Sequence, residues 1–172
     1  MVARDEREPA RGGRFVDDYL PYLLARASFL VSERFHVHLR PAELAVPEWR
    51  VLSSLSDGGG LSVSALARIT LYKQPTMTKI IDRMVARGLV RRAASSSDRR
   101  KVLVFATEDG HALVAGLLVK AKHQEEETLR SYAPGERAAL KHMLRTLIAR
   151  LDPDEEARPR AGAGGSTTAP DA

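Results

Sequence analysis

Apolar residues recur along most of the chain at the spacing of helix faces, with two short stretches of strand character in the middle. Leu20, Leu23, Leu24, Ala27, Leu30, Val31, Phe35 and Leu39 repeat at three- and four-residue intervals, which predicts a long helix within about 17–40 with Pro21 in its first turn. Tyr22, Phe29 and Val37 fall on the opposite side of that helix. A helix apolar on more than one face needs cover from beyond its own subunit. Pro47 opens a second helix carrying Trp49, Val51, Leu52 and Leu55, which Asp57-Gly58-Gly59-Gly60 stops. Ser62 is placed as the N-cap of a short third helix with Ala65, Leu66 and Ile69.

In KQPTMTKIIDRMVARG (73–88), Met77, Ile80, Ile81, Met84 and Val85 form one stripe, so geometry turns Pro75, Thr76, Lys79, Asp82, Arg83 and Arg87 outward, flanked by Gln74 and Thr78. Gly88 ends this helix. LVRR (89–92) and KVLVF (101–105) then predict two strands around a polar tip, SSSDRR (95–100). Thr107 caps a helix from about 108 to 132. Pro134 starts a last one, whose Leu140, Leu144, Leu147 and Leu151 run to a stop at Asp152-Pro153.

Composition narrows what this arrangement does. The 172 residues hold no Cys, which excludes disulfides, thiolate catalysis and thiol redox sensing. No apolar run approaches the ~20 residues of a membrane span, and the N-terminus opens on mixed charges, so a cytoplasmic protein without membrane contact is expected. Residues 1–14 and 152–172 are poor in apolar side chains and rich in charge, Gly and Pro, and are expected to be a disordered arm and tail around one domain at 15–151. The net charge of +5 is unevenly spread: 61–107 carries ten Lys and Arg against Asp82 and Asp98.

A short helix, a tight turn, a helix faced with small polar and basic residues, and a basic hairpin constitute a winged helix-turn-helix. The fold expected is therefore mainly α with a small β-hairpin wing at about 47–107, plus a helical dimerisation region at about 17–40 and 108–151. A helix entering a DNA major groove ~12 Å wide needs side chains that are short or flexible and that meet base edges. Lys73, Gln74, Thr76, Thr78, Lys79 and Arg83 meet that requirement, and Arg99 and Arg100 at the hairpin tip are placed to reach a minor groove. Double-stranded DNA is the expected partner, read by a homodimer as a pseudo-palindrome with half-sites roughly one helical turn apart. A winged helix that docks protein is the alternative, against which the basic segment argues.

On these residues the chain resembles the MarR family of winged-helix regulators. The resemblance is carried by LARITLYKQPTMTKIIDRMVARGLVRR (66–92) and SSDRRKVLVFATEDG (96–110), where Asp98, Arg100, Thr107 and Gly110 match the family's wing pattern. It implies a transcriptional regulator, with repression the expected sign, in which Asp98 braces Arg100 in the minor groove. The resemblance also implies an effector, a small phenolic or aromatic carboxylate bound between the dimer region and the winged helix. Arg34, His36, His38, Arg40 and Arg50 surround an apolar stretch containing Phe35 and Trp49 at that junction, and Arg34, His36, His38, Trp49 and Arg50 are the candidate contacts. A DNA-binding protein without a ligand gate is the other reading. The five His have no HxxxH spacing and no metal or other cofactor is expected. GxSxG, HExxH, phosphate-loop and GxGxxG patterns are all missing, so an enzyme is not expected.

Overall fold

The computed structural model describes residues 13–95 and 100–152. The expected arm and tail therefore lie outside the described residues, apart from Gly13, Arg14 and Asp152. After a single 3₁₀ turn at Phe15–Asp17 come α1 (Leu20–His36), α2 (Val46–Leu55), α3 (Val63–Ile69), α4 (Gln74–Ala86), β1 (Val90–Ala94), β2 (Val102–Ala106), α5 (Glu108–Thr128) and α6 (Pro134–Leu151). The fold is the expected one, mainly helical with one antiparallel hairpin.

Each start has a local cause. Proline occupies the first turn of α1, α2, α4 and α6, where its missing N–H is no loss. Glu48 and Glu136 reach back to accept the Ala45 and Ala133 N–H at 3.0 and 2.7 Å. Ser62 accepts the Ala65 N–H at 3.1 Å and so caps α3.

Two helices stop short of the sequence reading. α1 ends at His36 rather than near 40: Arg40 precedes Pro41, which disfavours helical backbone there, and His38 and Leu39 tighten to bonds with Phe35 and His36. α5 ends at Thr128 rather than Tyr132. The Thr128 hydroxyl donates to the Gln124 carbonyl, and Ala133, preceding Pro134, is extended.

A single core joins Val51, Leu52 and Leu55 of α2, Leu66 of α3, Met77, Ile80, Ile81 and Met84 of α4, Val90 and Val104 of the hairpin and Val114 and Leu117 of α5. Val85, expected in the α4 stripe, is 38% exposed, so that stripe is narrower than its spacing suggested. The hairpin pairs Val90 with Ala106 through Ala94 with Val102, and Leu61 adds a rung by exchanging two backbone bonds with Val104.

The base of the hairpin shows why Thr107 and Gly110 sit where they do. Thr107 Oγ1 donates to the Gly88 carbonyl at 2.6 Å and accepts the Gly110 N–H at 3.1 Å. Gly88 itself lies at φ +71°, in the left-handed region where glycine carries no steric cost. A Cβ on Gly110 would stand 2.2 Å from the Leu89 carbonyl oxygen. This threonine and glycine close the wing against the end of α4.

The first and last helices are packed differently. No residue of α6 is buried, and Met143, Leu144 and Ile148 are 37–60% exposed; Leu23, Phe29 and Leu30 of α1 are 42–62% exposed. No helix among the described residues is long and apolar enough to cross a membrane.

Candidate nucleic-acid interface

The outer surface of α4 presents the polar residues expected of it. Lys73 is the N-cap, and Gln74, Thr76, Thr78, Lys79 and Arg83 are all exposed while Met77, Ile80, Ile81 and Met84 hold the other side in the core. Thr78 Oγ1 donates to the Gln74 carbonyl at 3.1 Å, which leaves its oxygen lone pairs outward. The hairpin stands beside this helix, its strands closed by a bond from the Ser95 N–H to the Lys101 carbonyl at 2.8 Å, with Arg100 and Lys101 exposed. Asp98 and Arg99, and with them the expected contact between Asp98 and Arg100, lie outside the described residues.

Not every base of the positive segment faces outward for DNA. Arg87, read from the helical wheel as part of the outward arc, turns back: it donates to Glu48 Oε2 at 2.8 Å and to the Glu43 carbonyl at 2.9 Å. Glu48 is 5% exposed and is satisfied by this bond and the Ala45 N–H. A buried carboxylate 39 residues away in the chain outweighs the wheel, because it requires a partner. Arg92 on β1 pairs with Asp82 on α4 at 2.8 Å, and Arg68 lies 3.5 Å from Asp152. Arg91 lays its guanidinium 4.8 Å from the Phe105 ring centre.

A second feature lies at the junction of α1, α2 and α5, a cavity of about 210 Å³ lined by Val31, Ser32, Phe35, His36, Trp49, Arg50, Ala121, Gln124 and Glu125. Of the effector candidates it gathers His36, Trp49 and Arg50. Arg34 is exposed outside it, and His38 packs its ring 5.9 Å from Phe35 without lining it. Phe35 and Trp49, with ring centres 4.7 Å apart, form the apolar wall. The wall supplied by α5 escaped the sequence reading, because HQEEET (123–128) has the composition of a solvated face.

Glu125 accepts hydrogen bonds from Lys141 of α6 and from Lys122, and the Lys141 ammonium in particular holds its carboxyl below the usual carboxylate range against the opposing effect of burial. Arg50 has a second engagement outside the cavity. Its Nη1 donates to the Thr70 carbonyl at 3.2 Å, and its guanidinium lies 6.0 Å from the Tyr72 ring centre, both in the turn that leads to α4. Among the described residues no three His, Asp or Glu side chains cluster as metal ligands would.

Comparison with known proteins agrees with this layout. The MarR family model matches residues 43–101, from the loop before α2 to the hairpin. The HTH-type transcriptional repressor NicR of Pseudomonas putida is 32% identical over 142 residues, covering 83% of this chain and 88% of the relative. The chain belongs to the MarR family. A MarR family transcriptional regulator from Silicibacter pomeroyi superposes with a TM-score of 0.72 at 43% identity, over 81% of this chain and all of the other. Bordetella bronchiseptica BpsR, in a structure concerned with regulation of its DNA binding by 6-hydroxynicotinic acid, matches at 31% identity and a TM-score of 0.66, over 79% of this chain and 97% of its own. As a MarR protein this chain is a DNA-binding regulator of transcription, and α3, α4 and the hairpin are its winged helix-turn-helix.

Proposed function

We propose that this chain is a homodimeric, cytoplasmic repressor that reads a pseudo-palindromic operator and releases it when a small aromatic carboxylate occupies the cavity between α1, α2 and α5. Lys73, Gln74, Thr76, Thr78, Lys79 and Arg83 enter the major groove, and Asp98, Arg99 and Arg100 bring the wing to the neighbouring minor groove. The exposed apolar faces of α1 and α6 supply the dimer contact. The repressor NicR and the regulation of BpsR by 6-hydroxynicotinic acid support the sign and the ligand class.

The observation that carries ligand gating is the double engagement of Arg50, which lines the cavity and also bonds the Thr70 carbonyl just before α4. A carboxylate drawn to Arg50 competes with that carbonyl, and the reading helix then has two differently held starting points. A ligand shifts the equilibrium between them only by its differential affinity. Glu125 and Gln124 on the wall supplied by α5 suit a ring hydroxyl or N–H, so a hydroxylated aromatic acid finds polar partners besides Arg50.

The test is a mobility-shift titration against DNA upstream of the gene, across salt and with a panel of aromatic acids that includes 6-hydroxynicotinic acid. Binding should fall steeply with salt as Lys and Arg release phosphate counterions. Lys79→Ala should change the preferred site, while Arg100→Ala weakens all sites together by roughly 1–3 kcal/mol. Salt-insensitive binding overturns the DNA reading. A panel in which no acid alters either DNA binding or Trp49 fluorescence overturns the gate.

A further inference from the structure

The reading face of α4 contains one residue whose charge opposes its task. Asp82 follows Thr78 and Lys79 by four and three positions, so the three share a helix face, and its side chain is 55% exposed. A carboxylate there repels DNA phosphates. It does not stand alone: Arg92 Nη2 of β1 donates to Asp82 Oδ1 at 2.8 Å, a contact between the reading helix and the first strand of the hairpin. The Thr107 hydroxyl closes the hairpin at its base on the Gly88 carbonyl, and midway along it Leu61 pairs with Val104, which faces Arg92 across the strands. That rung ties β2 to the segment before α3, whereas Arg92, on the facing strand, ties β1 to the reading helix itself.

The geometry points to Asp82 and Arg92 as positioning residues that set the angle between wing and reading helix, so that major-groove and minor-groove contacts are made on one duplex together. The inference rests on the DNA-binding role of both elements. Exposed ion pairs contribute little to folding stability, so the effect belongs in specificity rather than in the unfolding free energy. It also opposes simple electrostatics. If Asp82 were only a misplaced negative charge, its removal would tighten binding to every duplex. As a brace, its removal loosens the wing and lowers discrimination.

The experiment uses the full chain and the best duplex that it enriches from a randomised library, with a scrambled duplex of equal composition as reference. Asp82→Ala and Arg92→Ala should each lower the ratio of selected to scrambled affinity, by roughly tenfold. The double variant should lose no more than either alone, since both remove the same contact. Hydroxyl-radical footprints of Asp82→Ala should lose the flanking minor-groove protection while methylation protection of major-groove guanines stays, a pattern that a general loss of stability would not give. The brace is overturned if Asp82→Ala keeps the ratio or tightens both duplexes, if its effect cancels that of Arg92→Ala, or if the flanking footprint persists. A parent protein that enriches no duplex, or gives no flanking protection, overturns the DNA or wing reading and the brace with it.

Discussion

Glu48 and Glu125 are two carboxylates whose surroundings give them different tasks. Glu48 is held inside by Arg87 and by the Ala45 N–H, joining the end of α4 to the start of α2. Arg87→Met would leave that carboxylate buried with one neutral donor, and unfolding titrations should show a loss of about 1–3 kcal/mol. Glu48→Gln together with Arg87→Met should cost less than the two separate losses combined, because the stranded charge is gone. Glu125 instead borders the cavity, with its carboxyl held below the usual range chiefly by Lys141. A depressed folded-state pKa contributes stability above the ordinary carboxylate value of about 4.3 and loses it as pH falls through the folded value. Glu125→Gln should therefore flatten the acid limb of a plot of Tm against pH and leave the neutral region parallel to the parent.

At the level of elements, what periodicity and end signals specify was legible and what depends on distant partners was not. Ser62, Thr107 and the first-turn prolines mark helix starts through bonds made within three residues, and the α4 stripe follows from one helix and one core. Arg87 was misjudged because its partner Glu48 lies on another helix. Gln124 and Glu125 were passed over because only the packing of α5 on α1 and α2 turns part of a polar run into a cavity wall. The turn before α4 was equally silent: Leu71 adopts φ +62° while 85% exposed, a left-handed conformation that a leucine takes at a cost of roughly 1–2 kcal/mol. Leu71→Asn loses almost no packing and relieves that cost, so chemical denaturation should show a gain of about 1 kcal/mol.

For the whole molecule, the decisive feature is what a single chain leaves uncovered. Ile148 is 50% exposed in a helix that buries nothing, so Ile148→Glu should leave the protomer folded by circular dichroism and shift sedimentation from dimer to monomer. The ion pair between Lys141 and Glu125 gives the proposed dimer surface a further meaning, because it fastens α6 to the wall of the cavity. Occupancy and assembly are then thermodynamically linked, and such coupling is reciprocal: whatever factor an aromatic acid adds to self-association, self-association adds to the grip on the acid. Apparent ligand affinity should accordingly drift with protein concentration across the monomer–dimer range and become constant in Lys141→Met. A cell that makes more of the protein would thereby also change the effector dose at which it responds.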